Sequence, residues 1–537
     1  MKSSDVILAA CTLSLPCFNG VAQARVAPQG TPKNILFILV DDLGWNDLGF
    51  MGSEYYETPN IDRLAASGVV FTDGYAACQV SSPSRASIMT GLYTTRHGVT
   101  DWIGEKAGEA WRDMGRHTKL LPSEYDLYLD PKFDIIPEKL KSEGYATFFA
   151  GKWHLGGEEQ YLPDSNGFDI NKGGWEAGGP KGGYFSPYAN PKLEDGPAGE
   201  NLSMRLAEET VAFIEDHNSN SSDQPFFAYL SFYAVHASIE TTQEYWSYFR
   251  DKAERMGIAE SGFIVDRTLP VRQCQDNPIY AGLIKQMDDA VGRVLDAIDE
   301  LGLDENTLIV FTSDNGGVTS GDAYSTSLLP LRGGKGRQFE GGIRVPVVIK
   351  SPQSPLNGES CSTPVHGIDF YPTLMSYAGV DMGTTFVDGV DVTPLLRGEQ
   401  IAERSLFWHY PHYGNQGGEP SSIIRKGDWK LIYYHEDLRC ELYNLKQDLS
   451  ESEYVTAQNR DKAEELKEEL LAWLEQTQAL IPEPDMKYDP VAESKYKEEM
   501  RTKVLQQKES FRRSSLEKGF KPNVTWWGSQ VGQMQEE

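Results

Sequence analysis

The chain lacks the features that would place it in several large classes. Past its first residues it has no stretch of about 18 apolar residues, the length a membrane-spanning helix needs, so no later segment is expected to cross a bilayer. Cysteine is scarce: six in 537 residues, none in a C-x-x-C pair, which argues against a zinc knuckle. Positive charge is also short, with 50 Lys and Arg against 79 Asp and Glu and a formal charge of −29. Such a surface repels nucleic acid and anionic lipid, so an anionic substrate must meet a local cationic pocket. There is no internal repeat and no long low-complexity tract. No G-x-S-x-G elbow occurs, which disfavours a serine nucleophile of the α/β-hydrolase kind.

What is present begins with an export signal. One Lys, a short apolar run and Ala22-Gln23-Ala24 predict a secretory signal peptide over 1–24 and a periplasmic or secreted protein. Leu8-Ala9-Ala10-Cys11 also resembles a lipoprotein box, a lesser alternative given the short apolar run before Cys11. Removing 1–24 takes away Lys2 and Asp5 and leaves the charge at −29. Cys78, Cys274, Cys361 and Cys440 remain and could form one or two disulfides in an exported protein.

The main body alternates strand and helix patterns. Residues 34–40 (NILFILV), 146–151 (ATFFAG), 226–233 (FFAYLSFY), 307–313 (TLIVFTS) and 345–350 (VPVVIK) read as buried strands. Thr58-Pro59 followed by NIDRLAASG predicts a helix with Pro at its first position and Gly68 past its end. Residues 135–143 and 278–301 carry helical patterns. This order predicts an α/β domain over 25–395 with a doubly wound, mostly parallel sheet. From 396 to 485, short strands and the amphipathic stretch 461–478 predict a smaller subdomain with an antiparallel sheet plus helix. Residues 486–537 form a tail of mixed charge, whose pattern does not separate a wrapped helix from disorder.

Polar residues fall where these strands end: Asp41-Asp42, Lys152 and His154, His236, and Asp314-Asn315. Open α/β sheets bind ligands at the carboxyl ends of their strands. The acidic set offers only oxygen ligands, which suits a hard divalent cation and disfavours zinc. Either pair alone could be a turn or a helix cap; two pairs after two buried strands point to a site. Arg85, Lys152 and Lys335 would add positive charge, and His154 and His236 could exchange protons. His117, His217, His366 and His435 are assigned to structure or surface. Ser81, before ASIMTG, is either an ordinary helix N-cap or a reactive residue.

Ser81-Ser82-Pro83-Ser84-Arg85-Ala86-Ser87, through Met89-Thr90-Gly91, resembles the C/S-x-P-x-R motif of the type I, formylglycine-dependent sulfatases. Gly144-Tyr145-Ala146-Thr147 through Gly151-Lys152-Trp153-His154-Leu155-Gly156 resembles that family's second signature. Asp41-Asp42 and Asp314-Asn315-Gly316-Gly317 are similar to its metal-binding blocks. Leu331-Arg332-Gly333-Gly334-Lys335-Gly336 with Glu340-Gly341-Gly342 is similar to its sulfate-binding lysine loop. The resemblance spans roughly 34–480 and implies the alkaline-phosphatase-like fold. It implies that Ser81 becomes formylglycine, and because the motif residue is serine it points to a bacterial polysaccharide sulfatase matured by a radical-SAM enzyme. It further implies a metal, calcium rather than magnesium, on Asp41, Asp42, modified Ser81, Asp314 and Asn315. Arg85 would stabilise the aldehyde hydrate, Lys152 and Lys335 the sulfate. His154 would be the base that expels sulfate and His236 the proton donor to the leaving alkoxide. The His236 block, Tyr-Ala-Val-His-Ala-Ser, departs from the many relatives with Pro two places after the histidine.

The chemistry explains the modification. A formylglycine hydrate has two geminal hydroxyls, one to attack sulfur and one to lose a proton as sulfate leaves; plain serine has no second hydroxyl. For the leaving group, Trp102 and the run Trp408-His409-Tyr410-Pro411-His412-Tyr413 suggest sugar contacts by Trp102, His409 and His412, with packing of 408–413 inside the C-terminal subdomain as the alternative. The expected substrate is a sulfated glycan, with an exo-acting attack on a galactose-type 4-O-sulfate. The rivals are a phosphomonoester or phosphonate hydrolase on the same fold and a non-catalytic glycan-binding protein with unconverted Ser81.

Overall fold

A computed structural model describes residues 33–520 and, as backbone, a short strand at Ser529–Gly532. The expected signal peptide and the lipid box at Cys11 lie outside the described residues. The central sheet has eight strands: β1 (Asn34–Val40), β2 (Val69–Phe71), β3 (Ala146–Gly151), β4 (Ile170–Lys172), β5 (Phe226–Ser231), β6 (Thr307–Ser313), β7 (Val347–Lys350) and β8 (Ser360–Cys361). Their order across the sheet is β8-β2-β7-β6-β1-β5-β3-β4. Pairings from β6 to β4 are parallel, while β7 runs antiparallel to both β6 and β2.

The strand sequences dictate this arrangement. All seven residues of β1 are buried, and side chains alternate between faces with the period of two that a strand imposes. Leu36, Ile38 and Val40 join one core cluster, Ile35, Phe37 and Leu39 the other. Each fully buried side chain of this kind contributes about 1.5–3 kcal/mol. Helices cover both faces. On the first lie α1 (Pro59–Ala66), α4 (Leu202–Asn220), α5 (Gln243–Met256) and α6 (Pro278–Glu300), through Ile61, Leu206, Ile214, Phe249, Leu283 and Met287. On the second lie α2 (Ser81–Thr90), α3 (Ile136–Ser142) and α7 (Phe370–Ala378), through Ile88, Leu140 and Leu374. The fold is therefore the alkaline-phosphatase-like, mostly parallel α/β sheet that the sequence predicts.

Further along the chain, β9 (Ser405–Tyr410), β10 (Ser421–Lys426), β11 (Trp429–Tyr434) and β12 (Cys440–Asn444) make a four-stranded antiparallel sheet. Helix α8 (Arg460–Gln476) covers one face through Leu466, Leu470 and Trp473 against Ile424 and Leu431. The other face, with Leu406, Trp408, Ile423 and Ile432, packs on Tyr75, Phe339 and Ile343 of the main body. The tail holds α9 (Pro490–Glu499) and α10 (Leu505–Ser515). Arg512 of α10 is buried against Asp276. Cys78, Cys274, Cys361 and Cys440 are all free thiols, so the disulfides considered from sequence are not formed. Among the described residues no helix is long and apolar enough to cross a membrane.

Candidate active site

Four neighbouring parallel strands, β6, β1, β5 and β3, deliver the chemistry-bearing residues at their carboxyl ends. Asp314 and Asn315 follow β6, Asp41 and Asp42 follow β1, His236 follows β5, and Lys152 and His154 follow β3. Carboxylate oxygens of Asp41, Asp42 and Asp314 all lie within 4.8 Å of one another, and all three residues are buried. The chain turns sharply to do this: Asp42 and His154 both sit at positive φ, 62° and 58°, a strained setting for non-glycine residues that is typical of functional sites.

Helix α2 brings Ser81 to the same point. All ten of its residues are buried, its N-cap position is Val80, and no side chain caps it. Ser81 is therefore not the helix cap that its sequence also allowed. Its hydroxyl lies 3.1 Å from Asp41 Oδ1 and 3.3 Å from the amide oxygen of Asn315, and Lys152 Nζ donates to it at 3.1 Å. Arg85, one turn on, donates through Nε to Asp314 at 2.8 Å and through Nη1 to Ser231 Oγ and the Lys152 carbonyl. Lys152 Nζ donates to Asp41 Oδ2 at 2.7 Å, and Lys335 Nζ to Asp42 at 2.8 Å.

Electrostatics set the three carboxylates apart. Burial, reinforced by Asp314 and Asp42, pushes Asp41 up to about 8 despite Lys152. Asp42 is equally buried, but Lys335 and His236 hold it below its ordinary value. Burial of Asp314 is outweighed by Arg85, Lys152 and Lys335, which hold it well down. Three like charges this close call for a cation between them. The residues fit a hard metal ion: every donor is oxygen, and the Asn315 amide is oriented by its Nδ2, which donates to Asp42 Oδ1 at 2.8 Å, so that its own oxygen faces Ser81.

Ser81, Lys152, His154, His236 and Lys335 line one cavity of about 920 Å³, and Trp102 forms part of its wall. His236 Nδ1 is spent on the carbonyl of Ala237, leaving Nε2 3.9 Å from Asp42. Burial, with Lys335 nearby, pulls this imidazole down to about 3. Burial and Lys152 likewise hold His154 well below its ordinary value.

Two expected sugar contacts are corrected. His409 and His412 are buried and do not line this cavity. His409 is held between Ser422 Oγ at 2.7 Å and the Leu480 carbonyl at 2.9 Å, and His412 Nε2 meets Thr100 Oγ1 at 2.9 Å. His409 satisfies both ring nitrogens inside the protein, as buried polar groups generally do, while His412 Nδ1 has no hydrogen-bond partner and lies 3.6 Å from Asp101 Oδ2. Its hydrogen bond to Thr100 ties His412 to the segment that leads to Trp102.

Sequence reasoning missed the opposite wall, formed by Glu176–Gly183, Glu240, Asp322, Asn415 and Gln416. Its one local signal is the glycine-rich run EAGGPKGG. The glycines are needed for close approach: a Cβ at Gly178 would stand 2.5 Å from His154 Cε1, and one at Gly179 3.0 Å from His236 Nδ1. Glu340, part of the lysine-loop resemblance, is also absent from the cavity and pairs instead with Lys430 and Arg344 beneath it.

Comparison with known proteins agrees with this geometry. The family model "Sulfatase" matches residues 33–380, and "N-sulphoglucosamine sulphohydrolase, C-terminal" matches 335–479. A sulfatase of Formosa agariphila is 34% identical over 514 residues, covering 82% of this chain and 88% of the relative. The N-acetylgalactosamine-6-sulfatase of Canis lupus familiaris is 30% identical over 436 residues, covering 76% and 73%. The crystal structure of Ps i-CgsB in complex with k-i-k-neocarrahexaose superimposes with a TM-score of 0.67 at 26% identity, covering 90% of this chain and 99% of that one.

Proposed function

The chain belongs to the sulfatase family of sulfuric ester hydrolases, and from that premise we propose that it removes sulfate from a terminal galactose-type sugar of a glycan, with a 4-O-sulfate as the expected ester. The observation that carries the reading is the convergence of three buried carboxylates at strand ends with Ser81, Lys152 and Lys335, the last three of which line one cavity. Formylglycine made from Ser81 would supply the attacking hydroxyl and a second one whose proton is lost as the aldehyde re-forms and sulfate departs. Calcium held by Asp41, Asp42, Asp314, Asn315 and residue 81 would lower the pKa of that nucleophile and neutralise charge on sulfate.

The chain's own groups do the rest. Lys152 and Lys335 present ammonium groups to the sulfate oxygens from two sides, and the N-terminus of α2 adds its backbone N–H dipoles. Arg85 locks Asp314 and the Lys152 backbone and so holds the anion site in shape. His154 takes the proton from the second hydroxyl. His236 must hold a proton to donate it; sulfate bound between it and Lys335 would offset the charge that depresses its ring and raise its pKa. Trp102 offers a flat apolar face to a sugar ring, and the polar opposite wall offers partners for hydroxyls. The relative named as an N-acetylgalactosamine-6-sulfatase supports a galactose-configured sugar.

The test is inorganic sulfate release by matured protein from galactose oligosaccharides sulfated singly at O2, O4 or O6, beside 4-nitrophenyl sulfate and 4-nitrophenyl phosphate. Preference for the 4-O-sulfated sugar is expected. Faster cleavage of the phosphate ester favours the phosphohydrolase alternative, and binding without turnover favours the glycan-binding one. Maturation by a radical-SAM enzyme, read from serine at position 81, and export, read from the signal-like residues 1–24, belong to the same reading.

A further inference from the structure

We propose that Ser82, the neighbour of the residue to be converted, is a positioning residue that fixes His154 in the one tautomer and ring rotation in which Nδ1 faces the start of α2 as a proton acceptor. The proposal rests on the reading of His154 as the base.

Three hydrogen bonds close a ring around this imidazole. The backbone N–H of Ile103 donates to Ser82 Oγ at 3.0 Å. Ser82 Oγ meets His154 Nδ1 at 3.1 Å, and His154 Nε2 meets the carbonyl of the same Ile103 at 3.1 Å. Each member has a single role. A carbonyl only accepts, so Nε2 carries the hydrogen. Burial and Lys152 hold the ring well below its ordinary pKa, so Nδ1 bears a lone pair on which it accepts the Ser82 hydroxyl hydrogen, and the proton taken up in turnover would enter at this nitrogen as the hydroxyl of residue 81 displaces that of Ser82. The serine oxygen in turn receives the Ile103 N–H. The other tautomer would set a lone pair against the carbonyl oxygen and a hydrogen against the serine hydrogen. Ser82 is completely buried, so water does not replace it.

Packing fixes the rotation as well. The backbone at Gly178 lies so near the ring that a Cβ there would be 2.5 Å from Cε1 and 2.8 Å from Nε2. The ring cannot swing without displacing the glycine loop. Ile103 stands between Trp102 and Gly104, and all three line the cavity. The peptide that sets the histidine therefore belongs to the wall on which the sugar would rest. Ser82 joins that wall to the base through one hydroxyl and is the chain neighbour of the convertible serine.

The test is a double-mutant cycle on the full-length, matured enzyme, with 4-nitrophenyl sulfate and a sulfated galactose oligosaccharide as substrates. Because Ser82 lies inside the motif around Ser81, turnover is expressed per formylglycine, counted by peptide mass spectrometry. Ser82→Ala is expected to lower kcat about tenfold or more, the usual cost of losing a partner that orients a reacting histidine, with KM within about twofold. In a His154→Ala background the same change should cost less than about twofold, since residues acting as one unit are not additive. Ser82→Cys, nearly isosteric but a weak donor, keeps the packing and should fall with the alanine variant. Equal costs in both backgrounds, or wild-type kcat in Ser82→Cys, would overturn the proposal while leaving the enzyme a sulfatase. Failure of fully converted wild-type protein to release sulfate from any ester would overturn both readings.

Discussion

Two largely buried ionic clusters of the same formal composition occur in this molecule. At the strand ends, Asp41, Asp42 and Asp314 face Arg85, Lys152 and Lys335. At the junction with the antiparallel sheet, Asp73, Glu340 and Glu451 face Arg344, Arg425 and Lys430. In the junction, charges alternate. Lys430 lies between Glu340 at 3.0 Å and Glu451 at 2.8 Å, Arg344 between Glu340 at 2.7 Å and Asp73 at 2.9 Å, and Arg425 closes on Asp73 at 2.6 Å. Tyr75 adds a hydrogen bond to Glu340 at 2.7 Å. At the strand ends the carboxylates instead gather on one another, with the cations outside them and the cavity in front. The same six charges thus give a clamp in one place and a reaction centre in the other. What separates them is whether like charges converge on an opening.

This contrast can be broken by mutation, and the largest effect is expected in the clamp. Glu340→Ala leaves Lys430 and Arg344 buried with a missing partner and should cost about 3–5 kcal/mol of folding stability, read by denaturant unfolding. Lys335→Ala and Asp314→Ala should fold and bury the same core but lose about 10²–10³-fold in kcat, the range for one preorganised charge contact, read as sulfate release. Near-wild-type turnover in either would remove that residue from the centre.

Metal removal sharpens the comparison further. Chelation should abolish turnover and lower the unfolding midpoint, with calcium restoring both. At 100 times Kd a bound ion adds about 2.7 kcal/mol, and Glu340→Ala should leave that increment intact. The clamp has a pH signature of its own. Burial raises Glu451 to about 7, against the pull of Lys430. A carboxyl raised in the folded state adds stability below its unfolded value, and that stability is lost as pH rises through the folded one. Glu451→Gln should therefore flatten a decline in stability between about pH 4.5 and 7. The smallest effect is expected for Trp102→Ala: roughly 1 kcal/mol in kcat/KM for an oligosaccharide, with 4-nitrophenyl sulfate barely changed.

Much of the centre was legible in the sequence because strands report their own ends. NILFILV stops at Asp41 and TLIVFTS at Asp314, so the pattern that locates the core also locates the rim. The remainder depended on which loop lies over which. Trp408-His409-Tyr410-Pro411-His412-Tyr413 has the composition of a sugar-binding wall, yet strand pairing sets His409 onto Ser422, and the bend past the strand end sets His412 onto Thr100. Asp322, Asn415 and Gln416 reach the cavity from turns with no periodicity to mark them. Glu340 sits in a motif beside Lys335, but the turn and bends at 335–339, ahead of the helical turn that begins at Glu340, send one side chain to the cavity and the other to the clamp. The tail past 485 showed only charge, and its helix α10 is anchored by the buried pairing of Arg512 with Asp276, a contact from far along the chain.

The measurement that tests the account most directly is peptide mass spectrometry of residue 81 in protein from its native host, on the tryptic fragment from Leu64 to Arg85. A fragment lighter by two hydrogens is expected, the mass of formylglycine in place of serine. A fragment carrying only unmodified Ser81, in protein that binds sulfated glycans, would contradict it: the buried cluster at the strand ends would then be a binding site without a nucleophile.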